Sequence, residues 1–320
     1  MTGCFNARLL LLMWVLLYVG KRESTTVAAE PHGQQKDKIK TCSKWDIQSV
    51  PSFRNPFIFI HQRKSGGTSL RKVIFEAAKL KVAEHSILIP CHTRPCTTWD
   101  WDHFKQRFTV LGGHFSWATI FRSYWQVDGS NGIQRFVGKS DTSCLTNFRH
   151  PVERAWSCLF FRHGKAFKMA MENTKTAGEK LAVVKSFLHM PSKYGFGCNN
   201  EAIRMLSGFS DEEMINSLNK TDNPDLYNTV VKAAIQNMEH CAIVLMKSQV
   251  ENGANNLRLL SYFFPWINAS SLPFLNGNLV KTQEIPPDIN DLIMQENEAE
   301  FEVYEAALSQ YNCHLSKIAT

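Results

Sequence analysis

Apolar and polar positions along the chain alternate between two textures. Short unbroken apolar runs, of which Phe57-Ile58-Phe59-Ile60 is the clearest, suit strands buried on both faces of a parallel sheet. The longer stretches between them mix apolar and polar residues and predict helices. The pattern predicts strands over 57–62, 108–114, 143–148 and 241–246. It predicts helices over 68–80, 151–163, 225–238 and 249–264, further helices near 165–189 and 200–207, and a long terminal helix near 287–311. Pro286-Pro287 starts that last helix sharply. A Cys- and Trp-rich loop is expected over 90–104. Strands alternating with helices argue for an α/β fold with a central parallel sheet flanked by helices.

The N-terminal end has a different texture. Leu9 to Val19 is an unbroken apolar run with Arg8 before it and Lys21 and Arg22 after it. It is short for a membrane span, which needs about 20 residues, and it matches the core of a secretory signal. The expected layout is a signal anchor or signal peptide over 1–22, a polar stem over 23–50 and one globular domain over 51–320. Val27-Ala28-Ala29 offers a cleavage site as the alternative to a retained anchor. With 44% hydrophobic residues a sizeable core is available. A net charge of +7 suits an anionic cofactor or polymer. No zinc-finger spacing, RNA-binding motif or long Lys/Arg run points to nucleic acid.

Two segments carry candidate chemistry. After the strand ending at Ile60, the chain reads His61-Gln62-Arg63-Lys64-Ser65-Gly66-Gly67-Thr68-Ser69. The two glycines permit a sharp turn and close approach to a ligand. Thr68 and Ser69 stand where a helix begins, and free N–H groups there bind phosphate. Lys64 adds a mobile charge. The nucleoside-triphosphatase loop places its lysine after the glycines, so this is a different loop. The second segment is Leu145-Thr146-Asn147-Phe148-Arg149-His150-Pro151-Val152-Glu153-Arg154-Ala155-Trp156-Ser157. Arg149 ends a strand, Pro151 opens a helix, and Ser157 lies on that helix. An arginine fork with a hydroxyl suits a phosphate monoester. The plainer alternative pairs Arg149 with Glu153 and leaves Ser157 on the helix surface.

The two segments in this order resemble the sulfotransferases that use 3′-phosphoadenosine-5′-phosphosulfate (PAPS). The resemblance is to the Golgi carbohydrate branch that includes heparan sulfate 2-O- and 6-O-sulfotransferases and uronyl 2-O-sulfotransferase. It covers roughly residues 55 to 312. It implies a P-loop-like three-layer fold. It implies that Arg63, Lys64, Ser65, Gly66, Gly67, Thr68 and Ser69 hold the 5′-phosphosulfate, and that Arg149 and Ser157 hold the 3′-phosphate. Gly112-Gly113-His114-Phe115-Ser116 resembles the Gly-His-x-Ser segment of the 2-O-sulfotransferases, which makes His114 the catalytic base beside Lys64. Asn297 to Tyr304 resembles the family's terminal Asn-x-x-Asp-x-x-Leu-Tyr helix, with Glu300 in place of aspartate. Arg63 stands where the family has proline or glutamine and adds charge near the sulfate. Arg162, His163 and Lys281 are weaker candidates for an acidic sugar, with solvated surface cations as their plain alternative. His61, His150 and His163 are rival bases.

The implied activity is sulfuryl transfer from PAPS to a hydroxyl of a glycosaminoglycan-like polysaccharide, without a metal. The implied setting is a single-pass type II Golgi membrane protein, or a secreted one after cleavage. A tyrosine or small-alcohol acceptor, and a non-catalytic glycan-binding relative, remain open. Nine cysteines fit an oxidising compartment. The eight beyond the apolar run allow four bridges, whose connectivity the sequence does not give. Cys91 and Cys96 allow a small local loop, with a zinc site at His92 as the rival, and buried thiols are the alternative for Cys144 and Cys158. Asn219 and Asn268 begin N-glycosylation sequons.

Overall fold

The computed structural model describes residues 46–52, 55–83, 87–88, 109–114, 116–117, 142–191, 197–209, 218, 220–246, 251–272 and 285–319. All of them belong to one compact unit, Cys42–Thr320. Cys91, Cys96, Asn219, Lys281 and the segment 1–22 lie outside the described residues. Among the described residues, no helix is long and apolar enough to cross a membrane.

The sheet is parallel throughout. Its strands are β1 (Phe57–Ile60), β2 (Ile87–Leu88), β3 (Val110–Gly113), β4 (Ser143–Phe148) and β5 (Ala242–Leu245), in the spatial order β2-β3-β1-β4-β5. β2 is a two-residue edge, paired to Val110 and Leu111 of β3. It was not among the predicted strands, because a two-residue apolar step has no period to detect. Every residue of β1, β3, β4 and β5 is buried, so both faces of the sheet are covered, as the unbroken apolar runs imply. The central strand β1 aligns Phe57 to Ile60 with Val110 to Gly113 on one side and with Ser143 to Thr146 on the other. From β1 the chain goes to the edge strand β2, returns inward to β3, and then crosses β1 to β4 and β5 on the other side. The open end above β1 is therefore a topological switch point, where α/β sheets bind ligands.

The flanking helices are α1 (Gly67–Lys79), α2 (Pro151–Glu172), α3 (Ala177–His189), α4 (Glu201–Leu206), α5 (Pro224–Met238), α6 (Glu251–Phe263), α7 (Pro287–Glu296) and α8 (Glu298–Ala319). Two boundaries differ from expectation. α2 runs on to Glu172 through a kink at Gly164 (φ 39°), and the real break before α3 is a capping box in which the Thr176 hydroxyl accepts from the Glu179 N–H. The long terminal helix is divided at Asn297 (φ −124°) into α7 and α8, and α8 reaches Ala319. Asn297 turns its side chain inward there: its amide donates to the Ile293 carbonyl, and its Oδ1 accepts from the Asn200 N–H at 2.8 Å.

Two cores result. The larger one packs around the sheet, with Phe57 edge-on to Phe264 and Trp266. The smaller one lies among α2, α3 and α7 and includes Val152, Leu159, Phe167, Val184, Leu188 and Ile293. Of the two alternatives for Cys144 and Cys158, bridging is the one realised in both. Cys144 bonds Cys241 across β4 and the start of β5, and Cys158 bonds Cys198, the latter joining α2 to the approach to α4.

One charge pair sits inside these helices. Arg154 of α2 is 1% exposed and donates through Nε and Nη2 to both carboxylate oxygens of Glu300 in α8, and through Nη2 to the Cys198 carbonyl. Removing Glu300 would leave a guanidinium charged and buried. Glu300→Ala is expected to lower stability by about 3–5 kcal/mol in urea unfolding, and Arg154→Met combined with Glu300→Leu by much less.

Candidate active site

Three strand ends meet at the switch point. β1 leads into the loop 61–66 and then α1, β3 leads to His114, and β4 leads to Arg149. The geometry of the first loop is set from β4. Asn147, fully buried, accepts from the Gln62 N–H at 3.1 Å and donates to the Ser65 carbonyl at 2.6 Å. Thr146 receives the Gln62 amide at 3.4 Å and donates to the Ile60 carbonyl at 3.1 Å. Asn147 therefore staples the entry and exit of the loop. Sequence reasoning missed it; a polar Thr-Asn pair inside an otherwise apolar strand was the available signal.

Between those staples the backbone is strained. Lys64 lies at φ 61° and Gly66 at φ 74°. A non-glycine residue in the left-handed region costs roughly 1–2 kcal/mol and persists where its surroundings hold it. Gly66 precedes α1, and no described side chain caps that helix. α1 also has no acidic residue in its first turn. Its first N–H groups and its positive dipole end are open to an anion. The Ser65 hydroxyl, buried beneath them, has no hydrogen-bond partner among the described residues. Gly67 is needed for a different reason: a Cβ there would collide with the His61 ring. His61 itself is buried and stacked on Phe59, so it serves as packing under the loop.

The second predicted segment stands beside the first. Arg149 donates to Glu153 at 3.0 Å and to the Lys64 carbonyl at 3.5 Å. The plainer reading of Arg149, a pair with Glu153, is thus realised, and Arg149 also abuts the lysine loop. The pair is partly exposed and spaced i,i+4, worth about 0.3–0.5 kcal/mol. A phosphate could replace Glu153 as partner at little cost. Glu153, Ser157 and Phe161 follow at four-residue intervals and share one face of α2. Lys64 Nζ lies 4.2 Å from the centre of the Phe161 ring. Lys64 and Ser157 therefore border the same patch of α2. Burial, and then the Arg149 charge, lower the Lys64 pKa.

His114 follows Gly113 at the end of β3. Its Nδ1 lies 2.7 Å from the His61 carbonyl. A carbonyl only accepts, so Nδ1 carries the proton and Nε2 holds the lone pair of the neutral ring. Burial, with the Arg63 charge behind it, lowers its pKa to about 4. The imidazole is neutral across the physiological range.

The other named residues are placed less directly. Arg63 is paired with the buried Glu201 at 3.3 Å. Thr68 and Ser69 are half-buried in the first turn of α1. Arg162 donates to the Gly197 carbonyl at 2.7 Å, and burial lowers its pKa to about 10. The His163 ring packs edge-on to Phe187. His150 packs edge-on to Phe301 and Tyr304. Asn268 is exposed, as a glycosylation sequon requires. No protein-family model matches the chain, and no curated protein matches it either.

Gly67→Ala is expected to displace His61 and cost about 1–3 kcal/mol. Asn147→Ala should free both ends of the loop. Thermal unfolding will read the first, and hydrogen exchange of the Gln62 and Ser69 amides the second.

Proposed function

We propose that the chain transfers a sulfuryl group from PAPS to a hydroxyl of a glycan of the glycosaminoglycan kind, on a P-loop-like α/β scaffold. The observation that carries the reading is the convergence at one switch point of an uncapped α1 behind a strained lysine loop, Arg149 with Ser157, and a neutral His114. The site fits an anhydride carrying two phosphate groups. The α1 terminus, Ser65, Thr68 and Ser69 would receive the 5′-phosphosulfate, and Arg149 and Ser157 the 3′-phosphate. PAPS supplies a sulfuryl group on a good leaving group, and transfer is an in-line displacement.

The chain's own residues then divide the work. Nε2 of His114 would take the proton of the acceptor hydroxyl as the new S–O bond forms. Lys64 would move off Phe161 to meet the bridging oxygen, where negative charge develops as adenosine 3′,5′-bisphosphate leaves. Its lowered pKa eases proton donation to that oxygen. Arg63 is removed from the direct cofactor contacts of this reading, since its charge is met by Glu201. A tyrosine or small-alcohol acceptor would use the same donor site. A glycan-binding relative without turnover would keep it as well, and turnover separates the two.

The test is label transfer from radiolabelled PAPS, by the purified full-length chain, to heparan, desulfated heparin, chondroitin and dermatan. Label should move to one of these polymers. His114→Ala should lower transfer about 10²–10⁴-fold while adenosine 3′,5′-bisphosphate still binds. Lys64→Ala should abolish measurable transfer. Because the His114 pKa is lowered, protonation should silence the base only as pH falls toward about 4. The rate should then be flat from pH 8 to about 5.5, and an acid limb near the ordinary histidine value of about 6.5 would refute the role. Absence of both transfer and nucleotide binding in the folded chain would sink the reading.

A further inference from the structure

Glu201 opens α4, and no motif in the sequence marks it. Its side chain is 2% exposed. It accepts from the Arg63 backbone N–H at 3.3 Å and from the Arg63 guanidinium at 3.3 and 3.4 Å. Burial would push its carboxyl up, but Arg63, Arg154 and Arg162 outweigh that and hold it at about 2. It is therefore an anion at every working pH. Its own N–H donates to Glu300 at 2.8 Å, and Glu300 is gripped by Arg154. Its neighbour Asn200 donates its N–H to Asn297 and accepts from the Glu300 N–H. Cys198 is tied by its disulfide to α2. The carboxylate thus hangs from a rigid frame of α2, α4 and α8.

From α4 that frame reaches the site through Arg63, the residue immediately before the strained Lys64. Asn147 holds the Ser65 carbonyl immediately after it. Lys64 is bracketed by two anchors, one on β4 and one on α4. Removing the Glu201 carboxylate withdraws the contact to the Arg63 N–H, and with it one of the supports of the left-handed turn at Lys64. Arg63, whose charge already lowers the His114 pKa, would also lose this carboxylate as a partner.

We infer that Glu201 is a positioning residue: through Arg63 it holds the Lys64 loop in the shape that receives the 5′-phosphosulfate, and it bears on the 3′-phosphate contacts of Arg149 and Ser157 only through that loop. The inference rests on the reading of that loop as the 5′ site. Its selectivity separates it from a general structural role. The test is calorimetric titration of the full-length chain with two probes, adenosine 3′,5′-bisphosphate and adenosine 3′-monophosphate. Glu201→Gln should weaken the bisphosphate about tenfold, equivalent to roughly 1.4 kcal/mol, and the monophosphate less than twofold. Arg63→Gln should show the same selective loss, which keeps the test intact if one variant folds poorly. Combining the two substitutions should cost less than the sum of the single losses, because the same contact is removed once. Equal losses for both probes, or no loss for either, would overturn the positioning role. A wild-type chain that binds neither probe would instead overturn the nucleotide site on which it rests.

Discussion

The buried Arg154 constrains how α2, α4 and α8 pack on one another. A guanidinium keeps its proton in a protein, so burying it to 1% exposure demands a carboxylate in one particular place. Glu300 meets that demand from more than a hundred residues away, and α8 can pack only where the two coincide. The same carboxylate receives the Glu201 N–H, so the start of α4 is fixed by the same contact. Burial pushes Glu300 toward the neutral form, and the Arg154 charge opposes this. An isolated buried pair is weak evidence of net stability. Its effect here is on specificity, because it leaves α2, α4 and α8 one mutual arrangement.

The consequence reaches the sheet. Parallel strands with both faces covered leave their C-terminal ends as the polar edge, and β1 stands at the switch point. The loop above β1 is held from two sides by groups that are themselves immobile: Asn147 within a buried strand and Glu201 within the charge network. A positive φ at Lys64 is affordable only in such a setting. The geometry turns the lysine ammonium toward α2, where it rests on Phe161, which is 67% exposed, beside the face that carries Ser157. The two polar segments singled out in the sequence thereby form one surface.

Most of the scaffold was legible because its signals are local. Phe57 to Ile60 reads as a buried strand from apolarity alone, and Pro151 and Pro287 mark helix starts by their fixed φ. The errors occur where a local signal is absent or overruled. β2 is too short to show a period. The division at Asn297 comes from a side chain recruited to cap another helix, a partner nearly a hundred residues distant. The pairing of Cys144 with Cys241 and of Cys158 with Cys198 was not legible, because that proximity exists only in the fold.

At the site the same division holds. The residue types and their order, lysine before two glycines, arginine before proline, and histidine at a strand end, were determined by the sequence itself, since each depends on backbone chemistry within a few positions. Which of these groups keep their charge for a ligand was decided by tertiary structure. Arg63 and Arg149 look alike in the sequence, yet Arg63 is paired with a buried carboxylate and Arg149 with a half-exposed one. The neutral state of His114 likewise follows from burial and from the Arg63 charge, while the His61 carbonyl just past β1 fixes which ring nitrogen carries the proton. Electrostatic environment is set by neighbours in space, and only the folded chain brings those neighbours together.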